Sequence, residues 1–183
     1  MATLVLLRGL NVGGKTFRPT AVAEGLRELD VESIGAAGTF VVRKGRSPEQ
    51  IRRRILALLP FEAEIMVLPG ELVSRLLRMN APRGLPAGEG IRRFLSASTT
   101  RIRPSGRLPV LLPGPEDWQV QLTGLVENCA LGYCRRSGQR MLYPNEAMER
   151  LFGQPFTTRW WETIELAHSK FGRDSPPRGK RPV

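Results

Sequence analysis

Gly9 to Thr16 reads GLNVGGKT and matches G-x-x-x-x-G-K-[ST], the pattern in which a glycine-rich loop and the helix after it cradle phosphates. It follows the apolar run Leu4 to Leu7, which reads as a strand. Nucleotide chemistry of that kind needs a helix beginning inside the motif, because its N-terminal amides hold the phosphates. Pro19 would fall about four residues into such a helix, removing a hydrogen bond at a cost of roughly 3 kcal/mol. A magnesium-binding carboxylate at the end of another apolar strand is also required. The aspartates are Asp30, Asp117 and Asp174, and none ends an apolar run. The stretch therefore reads as a strand-to-helix turn, with a P-loop NTPase disfavoured. Two readings of the turn stay open. Arg8, Gly9, Asn11, Gly13, Gly14 and Lys15 could form an anion-binding nest of backbone amides flanked by two cations. The glycines could instead only permit positive φ in a tight turn, with Asn11 bonding its own backbone.

The remaining chemical inventory is sparse. The single histidine, His168, falls on the apolar side of a C-terminal helix and reads as a packing residue, so histidine catalysis and a multi-histidine metal site are not expected. Cys129 and Cys134 lie five apart in a strand-like segment and fit neither a zinc spacing nor a disulfide framework, so they read as small apolar packers. Glu62 and Glu64 alternate on an expected strand and could form an acid/base pair, although a solvated strand face is the better account of them. No nucleophile-elbow motif occurs. No catalytic residue, metal or cofactor is assigned.

The chain has 183 residues, 41% of them apolar, and a formal charge of +11. Such a charge points to nucleic acid or another phosphate-bearing partner. Arginine supplies 24 of the 28 basic residues beside 19 Gly and 15 Pro, a bias that a GC-rich genome would impose on any protein. The longest apolar runs are far below the roughly 20 residues of a membrane span. The N-terminus lacks the charge and length pattern of a signal peptide, so the reading is cytoplasmic and without a membrane.

Hydrophobic periodicity gives the architecture. A strand at Thr3 to Arg8 precedes a helix beginning at Pro19 or Thr20, with Val22, Leu26 and Leu29 on one face. Strands at Val31 to Ile34 and Thr39 to Arg43 form a hairpin across Gly35 to Gly38. Ser47, Pro48 and Gln50 start a second helix whose apolar stripe is Ile51, Ile55, Leu58 and Leu59. A strand at Glu62 to Leu68 completes a βαββαβ order, the ferredoxin-like signature. A further helix at Pro69 to Arg78 leads to a Gly- and Pro-rich linker with a boundary near residue 85. Beyond it, strands are expected at Arg92 to Ser98, Trp118 to Leu122, Val126 to Arg135 and Gln139 to Tyr143. Helices follow at Asn145 to Phe152 and from an N-cap at Thr157 or Thr158. On that last helix Trp160 and Trp161 would point about 100° apart, one into the core and one outward. The fold class is α+β: two ferredoxin-like subdomains (3–80 and 88–170) with mainly antiparallel sheets, and a disordered basic tail at 171–183.

Several segments together resemble a known family. RGLNVGGK (Arg8 to Lys15) after LVLL, IGAAGTFVVR (Ile34 to Arg43), LYPN (Leu142 to Asn145) and TTRWWETIELA (Thr157 to Ala167) resemble ALLRGINVGG, YIQSGNVVF, YPN and TTRNWNTV. Those are markers of an uncharacterised bacterial family called domain of unknown function 1697. The resemblance spans about residues 3 to 168, implies two ferredoxin-like subdomains, and carries no established activity. Tyr143, Asn145, Arg159 and Trp161 lie in the matching segments and are secondary site candidates. This chain departs from the pattern where Ala36, Ala37 and Thr39 replace polar Gln, Ser and Asn. It departs again where Asn145 runs into EAMERLFG and not into a glycine-rich segment.

Three functions stay in view: a non-catalytic binding protein for nucleic acid or a phosphate-bearing small molecule, an enzyme with a site between the subdomains, and a structural or protein-interaction role. Base stacking on an open ferredoxin-like sheet has little support. The first strand carries no aromatic and the third only Phe40.

Overall fold

A computed structural model describes residues 2–9, 18–44, 47–79, 90–103, 106–136 and 142–172. The expected boundary near residue 85, the C-terminal tail from residue 173, and residues 139–141 of the strand expected at Gln139 to Tyr143 lie outside them, while Leu142 and Tyr143 belong to no strand. The chain is α+β, with two antiparallel sheets.

Local sequence rules account for most of the first half. β1 (Thr3–Arg8) leads to α1 (Pro19–Gly25), with proline at the start, where its missing N–H removes nothing. A 3-10 turn, Arg27–Leu29, extends the helix face, so that Val22, Leu26 and Leu29 are all buried. β2 (Val31–Ile34) and β3 (Thr39–Val42) form the hairpin, with Gly35 and Gly38 at φ of 65° and 66°, a conformation that L side chains resist. α2 (Pro48–Leu56) opens as its sequence requires: the Ser47 hydroxyl accepts from the Gln50 amide at 3.3 Å. Its apolar stripe is shorter than the periodicity suggests. Ile51 and Ile55 are buried, but the helix ends at Leu56 and Leu58 is 42% exposed. β4 (Glu64–Pro69) and α3 (Gly70–Arg78) follow, and the sheet order is β2-β3-β1-β4. Glu62 precedes β4, so the expected pair Glu62 and Glu64 does not share a strand face.

The second half is built from β5 (Ile91–Ala97), β6 (Val110–Leu112), β7 (Val120–Val126), β8 (Cys129–Arg135), α4 (Pro144–Phe152), β9 (Thr157–Trp160) and α5 (Trp161–Ser169). Its sheet order is β6-β7-β8-β5-β9. Two boundaries differ from expectation. The turn at Glu127 and Asn128, with Glu127 at φ 55°, separates β7 from β8 inside what reads as one strand. Thr157 and Thr158 cap no helix. They sit in β9, opposite Ala97 and Ser96 of β5, with Thr158 Oγ1 2.6 Å from Ser96 Oγ. β-branched residues suit that half-buried edge, and the cross-strand pairing overrides their capping tendency. Trp160 is consequently a strand residue, and only Trp161 lies on the helix.

Alternation along the strands assigns each face its cover. Val5, Leu7, Phe40, Val42, Ile65 and Val67 pack against Val22 of α1, Leu26 just after it, and Ile51 and Ile55 of α2. On the opposite face, Leu4, Leu6, Val41, Met66 and Leu68 meet Leu72, Val73 and Leu76 of α3 and Trp161, Ile164 and Ala167 of α5. Leu95, Ala97, Cys129 and Leu131 of the second sheet belong to that same cluster, so the two sheets share one core. The second sheet's other face, with Phe94, Val120, Ala130 and Cys134, is covered by Ala147 and Met148 of α4. Both cysteines are free and buried, and burial pushes their thiols up to about 12 for Cys129 and about 11 for Cys134. Among the described residues no helix is long and apolar enough to cross a membrane.

A polar clasp fastens the end of α5 to the first sheet. Arg43 Nη1 lies 3.2 Å from Asp30 Oδ1, its other guanidinium arm pairs with Glu32, and its Nε donates to the Lys170 carbonyl at 2.7 Å. Lys170 Nζ closes the ring at 3.0 Å from Glu32 Oε1. Burial alone would raise the Glu32 carboxyl, but Lys170 and Arg43 outweigh it and hold it below 4.5. A carboxylate held below its unfolded value adds stability above that value, and the gain is lost as pH falls through the folded pKa. Glu32→Gln is thus expected to lower Tm by about 1–3 °C near pH 7. The gap to wild type should narrow as pH falls through the carboxyl's lowered titration range, and thermal unfolding across a pH series checks both parts.

Candidate functional site

Arg8 ends β1, and its side chain is matched by two carboxylates. Nη1 lies 2.8 Å from Glu64 Oε2 and Nη2 lies 2.9 Å from Glu149 Oε1. Glu149 also accepts the Phe156 amide at 3.2 Å. Burial pulls the Arg8 guanidinium down, but Glu149 and Glu64 more than offset it and its pKa is raised. This cluster of one cation and two anions leaves Arg8 no surplus positive charge to offer a ligand. Gly9 follows at φ 91°, the backbone state that asks for glycine. Asn11, Gly13, Gly14 and Lys15 lie outside the described residues. α1 begins at Pro19, with Arg18 before it in an extended conformation, so the first described helix after β1 starts beyond the GLNVGGKT motif.

Arg159 is the deepest charge near this point. β9 pairs it with Leu95, and its side chain crosses from the second sheet to the first. Nε donates to Thr39 Oγ1 at 2.7 Å, and Nη1 donates to Thr157 Oγ1 at 2.9 Å and to the Thr158 carbonyl at 2.8 Å. Nη2 donates to the carbonyls of Leu7 at 2.9 Å, Gly38 at 3.3 Å and Ala37. The residue is 8% exposed, and burial lowers its pKa to about 10, so it remains a cation at neutral pH. Among the described residues no carboxylate lies within ion-pair distance of it. Oxygen dipoles, not a counter-charge, hold this guanidinium.

Above Arg159 a cleft of about 400 Å³ opens between the sheets. Arg8 and Gly9 line one side, the Ala36–Ala37 turn another, and Tyr143, Pro144 and Asn145 a third. Thr158 and Trp160 complete the wall. α4 presents its N-terminus here, with no side chain capping it and proline at its start. The free amides of that first turn favour an anion. Tyr143 is 56% exposed, and Trp160 carries the Arg92 guanidinium 4.0 Å from its ring centroid.

The structure thus gathers Arg8, Gly9, Tyr143, Asn145 and Arg159 around one cleft. It does not bring Trp161 there: that ring is 7% exposed in the shared core, with Arg93 stacked 3.4 Å from its centroid. Thr158, Trp160 and Glu64 have other roles in the sequence reading, and Glu149 has none there, so none of the four was expected at this cleft. Only the departure at Ala36 and Ala37 signalled that the hairpin turn bears on this region. His168 is remote in role, its Nε2 2.8 Å from Ser74 Oγ between α3 and α5. Among the described residues no group of three or more His, Cys, Asp or Glu could hold a metal. No family model, no curated protein and no solved structure matches the chain.

Different environments give the two arginines different weight. Arg159→Lys keeps the charge but loses the fork that reaches both sheets, and is expected to cost about 3 kcal/mol, or roughly 6–12 °C in Tm. Arg8→Ala touches partly exposed pairs and should cost about 1 kcal/mol or less. Denaturant unfolding of the two variants checks the order, and an equal loss in both would contradict it.

Proposed function

We propose that the protein is a non-catalytic binding protein for a small phosphate-bearing molecule, with the cleft between the sheets as its site. One observation carries this reading: a cation without a counter-charge, Arg159, lies under a cleft that also receives the uncapped N-terminus of α4. An anion there is favoured by both, while Tyr143 and Trp160 offer flat apolar surface to an attached ring. Because the Arg159 donors already meet protein oxygens, its contribution is long-range attraction, and direct contacts fall to the α4 amides and Asn145.

Two further readings belong with this proposal. The first half is read as a ferredoxin-like subdomain, supported by its βαββαβ order and all-antiparallel β2-β3-β1-β4 sheet. In the second half four strands precede the first helix, so that label has less support there. The resemblance to domain of unknown function 1697 and a cytoplasmic setting stand as part of the same proposal. An enzyme with its site in this cleft has less behind it. Among the described residues the lining holds no histidine or cysteine, and the nearby carboxylates of Glu64 and Glu149 are paired with Arg8. Nucleic-acid binding by base stacking on the first sheet is disfavoured because both of its faces are covered.

The test is a thermal-shift screen of the full chain against nucleotides and phosphorylated metabolites, with dephosphorylated counterparts as controls. A ligand at about ten times its Kd should raise Tm by about 3–6 °C. The dephosphorylated form should give no shift, and Tyr143→Ala and Asn145→Ala should each remove most of it. No shift from any phosphorylated compound, or shifts unchanged in both variants, would overturn the reading.

A further inference from the structure

A second cavity, of about 440 Å³, lies outside the cleft, between α3 and the end of α5. Gly70, Glu71, Ser74 and Arg78 line it from α3, at the spacing that brings successive turns onto one helix face. Phe171 lines it from the chain just after α5.

Ser74 combines two properties there. It borders the cavity, and its Oγ lies 2.8 Å from Nε2 of His168, the chain's one imidazole. A serine inside a helix commonly bonds a carbonyl of the preceding turn, which commits its proton to the backbone. Among the described residues the Ser74 hydroxyl bonds only the imidazole. Both residues are partly exposed, so neither is sealed in the core. Phe171 tilts against the His168 ring with centroids 5.1 Å apart and holds it from the side. His168 therefore packs, as its place on α5 suggests, and also keeps a base within hydrogen-bond reach of a hydroxyl beside open volume. With the ring proton on Nδ1, Nε2 accepts from that hydroxyl, the arrangement that activates a serine as a nucleophile. Neighbouring hydroxyls are engaged otherwise. Ser169, next to His168 in sequence, donates to the Leu166 carbonyl of its own helix at 2.7 Å, and Ser96 and Thr158 bond each other.

We propose that Ser74 is a reactive serine, acylated by an uncharged activated ester that enters this cavity. Ser74 Oγ bonds to the ester carbonyl carbon and its proton passes to His168 Nε2. The ester C–O bond then breaks, and the departing oxygen takes the electron pair and afterwards the proton. Arg78, one turn beyond Ser74 on the same face, offers positive charge to the carbonyl oxygen as negative charge develops on it. Glu71, about one turn before Ser74, balances Arg78, so the described lining has no net charge with which to select an anionic donor. The acylation is stoichiometric, and it is independent of the cleft and of the function proposed for it.

Peptide mapping by mass spectrometry, on the full chain incubated with p-nitrophenyl acetate, tests the assignment. Ser74 should gain an acetyl group about a hundredfold faster than Ser169 in the native chain, and at the same rate as Ser169 once denaturant has unfolded it. His168→Gln leaves Ser74 a hydrogen-bonding neighbour of similar size but no base. It should slow acetylation at Ser74 about a hundredfold with Tm unchanged, a pattern that a merely structural pair would not give. Arg78→Gln should slow it about tenfold, less than the loss of a donor in a dry site. Tyr143→Ala should leave it unchanged, which keeps this site distinct from the cleft. Acetylation of Ser74 no faster than that of Ser169 in the native chain, or a rate unchanged in His168→Gln, would overturn the proposal.

Discussion

Arg159 is buried where the two sheets meet, and its guanidinium joins the C-terminal end of β1 and the β2–β3 turn to β9. A charge taken out of water loses several kcal/mol of hydration unless its surroundings replace it. Here the replacement comes from carbonyls and hydroxyls supplied by both sheets, so the side chain is satisfied only when both are in place. The requirement is mutual. The Leu7 carbonyl, which accepts from Arg159 and Thr157, and the Ala37 and Gly38 carbonyls would lose these donors without β9. The apolar cluster under α3 and α5 adds non-directional attraction across the same boundary, while Arg159 fixes its register.

The chemistry of the cleft follows from how its charges are matched. Arg8 lies between Glu64 and Glu149 and serves to tie β1, β4 and α4 together. Arg159 has dipoles for partners and no counter-charge within ion-pair distance, so its positive field acts from below the cleft floor against the net negative cluster around Arg8. Arg8, the most conspicuous arginine of the opening motif, is already engaged, so the anion proposed for the cleft depends on Arg159 instead.

The first half was legible because its signals are local. Period-2 apolar strands, Ser47 with Gln50 at a helix start, and proline at the start of α1 each act within a few residues. The second half depends on contacts that are not local. Thr157 and Thr158 look like helix caps until β5 pairs with them, and the β7–β8 turn uses Glu127 at positive φ where glycine or asparagine would announce it. The short strand β6 leaves too brief a pattern to read. Of the site, Arg8, Gly9, Tyr143, Asn145 and Arg159 were recognisable through motif resemblance, but their meeting was not. The carboxylates on Arg8 stand 56 and 141 positions away, a separation no local pattern encodes.

If Arg159 and the shared core make the two sheets one cooperative unit, their amides must open together. Native-state hydrogen exchange across a denaturant series measures this residue by residue. The account predicts that amides of β1 and β3 and amides of β5 and β8 converge on one opening free energy. A first sheet that opens at a clearly lower free energy while the second stays protected would contradict it.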